Sequence, residues 1–206
     1  MLSKTKDNEL AQQMLHLVVP ITIQQFMLAL VSATDALMLG FVLNLFVAGI
    51  AAGCGIMIAQ YWGKRDTASI EKVMPIALYT NLLSSGIFTV LALMIPGGLM
   101  RIFTNDPLLI ANGASYLRAV ALSYVFCGIS QIYLILLKNT GHAALSSKIS
   151  SSAVIINIIL NAILIFGLFG APRLGIVGAA YATVTARLVE LVWAYFAVRH
   201  THNVAI

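Results

Sequence analysis

Charge is what this sequence has least of. Lys and Arg number 12 and Asp and Glu 7 in 206 residues, 9% in all, against 60% hydrophobic residues and a mean hydropathy of +0.95. Soluble domains carry about a quarter charged residues to keep their surface in water. A water-facing globular fold is therefore excluded, and most of this surface meets lipid. With so few carboxylates an enzyme has little to work with. No nucleophile elbow, Walker loop, HExxH or dinucleotide fingerprint occurs, so the chain does not read as an enzyme, and energy from ATP would need a separate subunit. Cysteine is nearly absent: Cys54 and Cys127 lie in apolar runs without CxxC spacing. Neither a disulfide framework nor a metal site is expected from them, and both read as small packing residues. His16, His142, His200 and His202 have no carboxylate or Cys at ligand spacing, so no cofactor is expected. The net charge of +5 is scattered between apolar runs and forms no phosphate-binding patch, which argues against nucleic acid as a partner.

Apolar runs are what the sequence has in plenty. Runs long enough to span a bilayer fall at about 17–42, 43–61, 73–96, 115–137, 149–169 and 175–198. The later ones are separated by "YWGKRDTASIEK", "PGGLMRIFTNDPLLIANG", "KNTGHAALSSK" and "GAPRLG", rich in Gly, Pro and charge. The fold class expected is an all-α integral membrane protein with six transmembrane helices in one lobe, 17–198. Residues 1–16 and 199–206 are read as cytoplasmic tails. The start has no A-x-A cleavage pattern and is read as a tail, not a removable signal peptide. Lys4, Lys6, Lys64, Arg65, Lys72, Lys138, Lys148 and Arg199 fall at one set of helix ends, Arg101 and Arg173 at the other. The richer side is cytoplasmic by the positive-inside rule, which places both termini inside the cell membrane. Between the first two runs the only candidate turn is "GFVLN", around Gly40 and Asn44. A helical hairpin normally needs a few polar loop residues, so the reversal near 42–43 is expected to be unusually tight or to lack residues. Small-xxx-small spacings, Gly49 with Gly53 and Ala51 with Gly55, permit close helix packing.

A few polar residues sit where lipid is expected. Asp35 is a carboxylate in the first apolar run, and an ionised Asp at a helix centre costs about 2.5–3.5 kcal/mol on insertion scales. At a rise of 1.5 Å per residue, Asp35, Asn157, Asn161 and Thr183 all fall about 10 Å or somewhat more below the outer ends of their helices. Four oxygen-bearing side chains on three helices thus share one layer. Carboxylate, amide and hydroxyl oxygens suit a hard cation that has shed water, and a desolvated Asp suits a proton. For Asn157, Asn161 and Thr183 alone, plain interhelical hydrogen bonds at about 0.6 kcal/mol each explain as much. For Asp35 function is the default. Thr183, Arg187 and Glu190 share a helix face at i, i+4, i+7, so Arg187 and Glu190 form either an intramembrane polar pair or a substrate contact. Pro20 either kinks the first helix or sits harmlessly in its first turn.

Several segments together resemble a known family. "P-x(14)-D-A-L-M-L-G" from Pro20, "AQYWGKRD", "LKNTGHA", "NIILNAILIFG" and "GIVGAAYATVTARLVE" look like the amino-terminal half of a multidrug and toxic compound extrusion (MATE) transporter, in order and spacing from about residue 15 to 200. The resemblance implies a sodium- or proton-coupled antiporter that exports amphiphilic or cationic small molecules. It implies that Asp35 is a coupling residue, that Asn157 and Asn161 occupy the helix 5 positions of a cation site, and that Thr183 completes it. Asn161 stands where some members have a second Asp. Family members have twelve helices in two lobes, so the resemblance covers one lobe, with a deletion between helices 1 and 2. A second copy or a complementary half is the implied partner, with the lipid bilayer. The alternative reading is a truncated, transport-inactive fragment or a membrane partner subunit, which the shortened hairpin favours. A lipid-linked sugar flippase is disfavoured by Asp35 and the helix 5 Asn pair.

Overall fold

The computed structural model describes residues 40–170 and 172–201. Lipid offers no hydrogen-bond partners, so a spanning backbone must satisfy its own N–H and C=O groups, and helices do this. Among the described residues there is no strand. Five helices are long and apolar enough to cross a membrane: α1 (Gly40–Gly63), α2 (Thr67–Met94), α4 (Pro107–Asn139), α5 (Ala143–Phe166) and α6 (Gly175–His200, continuing to Thr201). A short helix, α3 (Pro96–Arg101), lies between α2 and α4, and a 3-10 turn, Leu168–Gly170, follows α5. The described part thus holds five spans where the sequence reading has six. Of the first of the six, 17–42, residues 17–39 with Pro20 and Asp35 lie outside the described residues, as do the tail 1–16 and residues 202–206.

One expectation is corrected. The reversal placed at Gly40–Asn44 is not there, because α1 runs without interruption from Gly40 through Val42 and Leu43 to Gly63. The turn signal was weak: one Gly and one Asn, with no Pro and no charge. In an apolar environment continuing the i→i−4 ladder costs less than exposing backbone groups. At about 1.5 Å per residue, the 24 residues of α1 reach about 36 Å, enough to span unaided. The helices also outrun the apolar runs: α2 takes in Glu71 and Lys72, α5 takes in Lys148, and α6 takes in Arg199–Thr201, which the sequence reading gave to the tail. Hydropathy marks the hydrocarbon slab only; helices continue into the headgroup layer.

Local chemistry sets the ends. Asp66 caps α2 by accepting from the Ser69 backbone N–H at 3.0 Å and the Ser69 hydroxyl at 2.6 Å. These bonds, then the charges of Lys72 and Lys64, hold its carboxyl below the usual carboxylate value. Asp106 caps α4, accepting from the Leu108 N–H at 2.8 Å, and Pro107 follows at the first helical position, where its missing N–H is no loss. Gly167 closes α5 in the left-handed conformation, φ 71°, and its N–H reaches Ile163 O.

α4 is the central helix. Two thirds of its most apolar stretch is buried, 67%, against 11% in α5; α5 instead presents Val154, Ile155, Ile158 and Ile159 outward. Buried side chains gather into two clusters. One joins Leu43, Val47, Ala92, Met100, Leu117 and Ala180; the other joins Ile58, Ile70, Met74, Ile132, Leu137 and Val198. On α4 the first ends at Tyr124 and the second begins near Ile129; on α2 they are separated by Asn81 and Ser85, on α6 by Thr183, Arg187 and Glu190. The packing thus has an apolar layer toward each end and a polar layer between them.

Candidate functional site in the polar middle layer

That layer has three parts. The first lies between α5 and α6. Asn161 Nδ2 donates to Asn157 Oδ1 at 3.0 Å, Asn157 Nδ2 donates to Thr183 Oγ1 at 3.3 Å, and the Thr183 hydroxyl donates to Ala179 O at 3.0 Å. One end of this chain is open: Asn161 Oδ1 is buried and has no hydrogen-bond partner among the described residues. Three of the four residues expected to share a layer are therefore in contact. The fourth, Asp35, lies outside the described residues. The close approach of the two helices depends on Gly178, where a Cβ would sit 2.7 Å from Leu164 O. Ala153, Asn157, Thr183, Ala186 and Arg187 line a cavity of about 120 Å³ beside the chain.

The second part is the ion pair. Arg187 Nη1 lies 2.7 Å from Glu190 Oε2, and the Ser130 hydroxyl of α4 donates to the same oxygen at 3.3 Å. Counting from Gly175 at about 1.5 Å per residue, Arg187 lies about 18 Å inside α6, a depth where an unpaired charge is expensive. Pairing at i, i+3 lowers the cost of both groups. Arg187 and Thr183 also face a larger cavity of about 390 Å³ bounded by α1, α4 and α6, whose walls include Phe41, Asn44, Tyr116, Tyr124 and Cys127.

The third part escaped the sequence reading. Asn81, Ser85 and Thr89 recur every four residues on α2 and are all buried. Asn81 Nδ2 donates to Gly128 O at 2.9 Å and the Thr89 hydroxyl reaches Ala121 O at 3.2 Å, both on α4. Ser85 packs where Gly128 leaves room; a Cβ there would meet Ser85 Oγ at 2.7 Å. The four-residue spacing that exposes the α6 stripe would have revealed this one too. Among the described residues no three His, Cys, Asp or Glu side chains cluster as a metal site.

These features define a polytopic, all-helical membrane protein with a polar core layer. A family model described as MatE matches residues 13–163, and the chain belongs to the MATE family. It is 29% identical to "Probable multidrug resistance protein YoeA" of Bacillus subtilis, over 72% of this chain and 32% of that protein. To "Probable multidrug resistance protein NorM" of Bacillus licheniformis it is 28% identical, over 87% of this chain and 44% of that one. Among solved structures, a crystal structure of a MATE point mutant matches with a TM-score of 0.78 at 22% identity, covering 87% of this chain and 40% of that one. An inward-facing multidrug resistance MATE family transporter of the MOP superfamily matches at 0.73 and 22%, covering 82% and 38%. At these identities the structures speak for the fold. The chain spans between about a third and a little under half of the length of these relatives.

Proposed function

We propose that this chain is the cation-coupling lobe of a MATE-type multidrug antiporter, exchanging sodium ions or protons for amphiphilic small molecules across the cell (inner) membrane, and that it is not an enzyme. The observation that carries the reading is the chain Asn161–Asn157–Thr183, with its unpartnered Asn161 oxygen, inside a membrane-spanning helix pair. The chain links three oxygen-bearing side chains, the donor type a desolvated hard cation takes. No negative charge is among them, and the Arg187 guanidinium lines the same small cavity. A cation therefore needs the Asp35 carboxylate, which supplies the missing charge for sodium or the titrating group for a proton.

Orientation follows from the spans. If α1 to α6 cross in alternating directions, Lys64, Arg65, Lys72, Lys138, Lys148 and Arg199 fall on one side and Arg101 and Arg173 on the other. The first side is cytoplasmic by the positive-inside rule. Because the chain covers less than half of its relatives, the transport path is completed by further helices, from a complementary half or a second copy. The inactive-fragment reading drew its support from a hairpin distorted at Gly40–Asn44. Helix α1 is regular from Gly40 onward, and the shortened hairpin that precedes it lies outside the described residues.

Dye efflux tests the reading. Cells or proteoliposomes carrying the protein should expel ethidium when a sodium or pH gradient is imposed, and Asp35→Asn should abolish this with insertion and expression intact. Undiminished gradient-driven efflux from Asp35→Asn would remove Asp35 from the mechanism. A folded protein that exports nothing under either gradient would favour the inactive alternative.

A further inference from the structure

Arg187 and Glu190 are not equivalent partners. The Glu190 side chain is 2% exposed and that of Arg187 33%. Glu190 Oε2 accepts from Arg187 Nη1 at 2.7 Å and from the Ser130 hydroxyl of α4 at 3.3 Å. The carboxylate is thus braced in the seam between α4 and α6, and the guanidinium is the member with room to move. It meets Glu190 through Nη1, and four of its five N–H donors are not used in that bond. On its other side lies the polar chain. Thr183 is one turn away on the same face of α6, and Asn157, Thr183 and Arg187 line the same small cavity. Long helical side chains lean toward the helix N-terminus, which for Arg187 is the side of Thr183. Glu190 lies on the opposite, C-terminal side.

The transporter reading gives the Thr183 hydroxyl and the Asn157 and Asn161 amide oxygens to the coupling cation. Oxygens that hold a desolvated cation also accept N–H bonds from a guanidinium, which is itself a cation. Arg187 and the ion therefore seek the same ligands, and like charges close together in a low-dielectric interior repel strongly. We propose that Arg187 is a built-in competitor for the coupling cation, and that Glu190, braced by Ser130, holds it off the Asn157–Thr183 oxygens. Paired, the guanidinium is neutralised in place and leaves those oxygens to the ion. Released, it leans back toward Thr183 and donates to them in the ion's stead. Glu190 is accordingly a positioning residue that acts through Arg187. This rests on the transporter reading; it concerns the coupling ion and sets no limit on the exported substrate.

The test is the ion affinity of the purified full chain in neutral detergent. It is read as the sodium concentration, balanced with choline, that gives half of the sodium-induced rise in thermal midpoint. If the wild type answers to protons instead, the reading is the pH of half the rise that Asp35→Asn abolishes. Glu190→Gln should weaken ion binding about tenfold or more, within the range of about 5–150-fold that coupled sites show. Arg187→Ala with Glu190→Gln has neither competitor nor unpaired charge, and should bind the ion at least as tightly as the wild type. In that double variant guanidinium chloride, far below denaturing concentrations, should compete with the ion, and choline should not. A pair with a merely structural role would lose affinity equally in both variants. If Glu190→Gln does not fold, the double variant and the guanidinium competition decide the matter. Unchanged affinity in Glu190→Gln, an equal loss in the double variant, or no competition by guanidinium would overturn the proposal. Any of these results in a chain whose wild type is stabilised by its ion leaves the transporter reading standing. A wild type stabilised by neither ion defeats that reading, and this inference with it.

Discussion

At the scale of single residues, the membrane interior sorts polar side chains by how well they are paired. Glu190 tolerates near-complete burial because Arg187 and Ser130 both donate to it. Removing Arg187 leaves that carboxylate alone in the seam. Arg187→Gln should therefore destabilise the protein by about 3–5 kcal/mol, toward the lower end because Arg187 is partly exposed, and adding Glu190→Gln should recover most of the loss. Unfolding in mixed micelles measures both; equal losses for single and double variants would show that the pair contributes little. These residues stood out in the sequence because charge is so rare in it, and their pairing was one of the two readings that the i, i+3 spacing left open. Asn81, Ser85 and Thr89 were not picked out although their four-residue spacing marks one face of α2; what the spacing does not give is their partners, Gly128 O and Ala121 O on α4. The open oxygen of Asn161 was beyond reach as well, because it depends on which amide partner each Asn takes.

At the scale of helices, where two backbones can approach decides where side chains can meet. Sequence spacing offered Gly49 with Gly53 and Ala51 with Gly55 as contact faces. Among the described residues the second is one: Ala51 is buried and a Cβ on Gly55 would lie 2.9 Å from Ile135 of α4, whereas a Cβ on Gly49 or Gly53 would meet nothing described within 4 Å. The tightest constraint on the candidate site is Gly178, facing the Leu164 carbonyl. Backbone cannot step aside as a flexible side chain can, so Gly178→Ala should part α5 from α6. Overpacking of this kind costs about 1–3 kcal/mol, and it should stretch the Asn157–Thr183 hydrogen bond, while Gly49→Ala should leave stability and activity nearly unchanged. Equal tolerance of both substitutions would mean that α5 and α6 are not held this closely. The five described helices were read nearly where they lie, because uninterrupted hydropathy is a strong signal. Their ends were not, because caps such as Asp66 and Asp106 lie outside the apolar runs, and the reversal misplaced at Gly40–Asn44 rested on two weak turn residues.

At the scale of the whole molecule, two apolar layers enclose a polar one, and the helices pass through all three. The outer layers supply the burial that holds α4 at the centre; the middle layer holds side chains whose burial is justified by partners or by function. The topology has its own check. With Asn105 between α3 and α4 and Lys64 between α1 and α2, cysteines introduced singly at these positions should label from opposite faces, Asn105→Cys from outside and Lys64→Cys from inside. Labelling of both from one face would reverse the orientation and the depth argument together. The central claim concerns the cation. Any ion that binds only the folded state raises stability, by about 2.7 kcal/mol at a hundredfold excess over its dissociation constant. The most direct measurement is the thermal midpoint of the purified chain in sodium chloride against choline chloride, at acid and alkaline pH, for the wild type, Asp35→Asn and Asn157→Ala. The account predicts a stabilisation specific to sodium or to protons in the wild type, absent in Asp35→Asn and weakened in Asn157→Ala. Midpoints that do not distinguish sodium from choline at either pH, and a pH response shared by all three proteins, would contradict it.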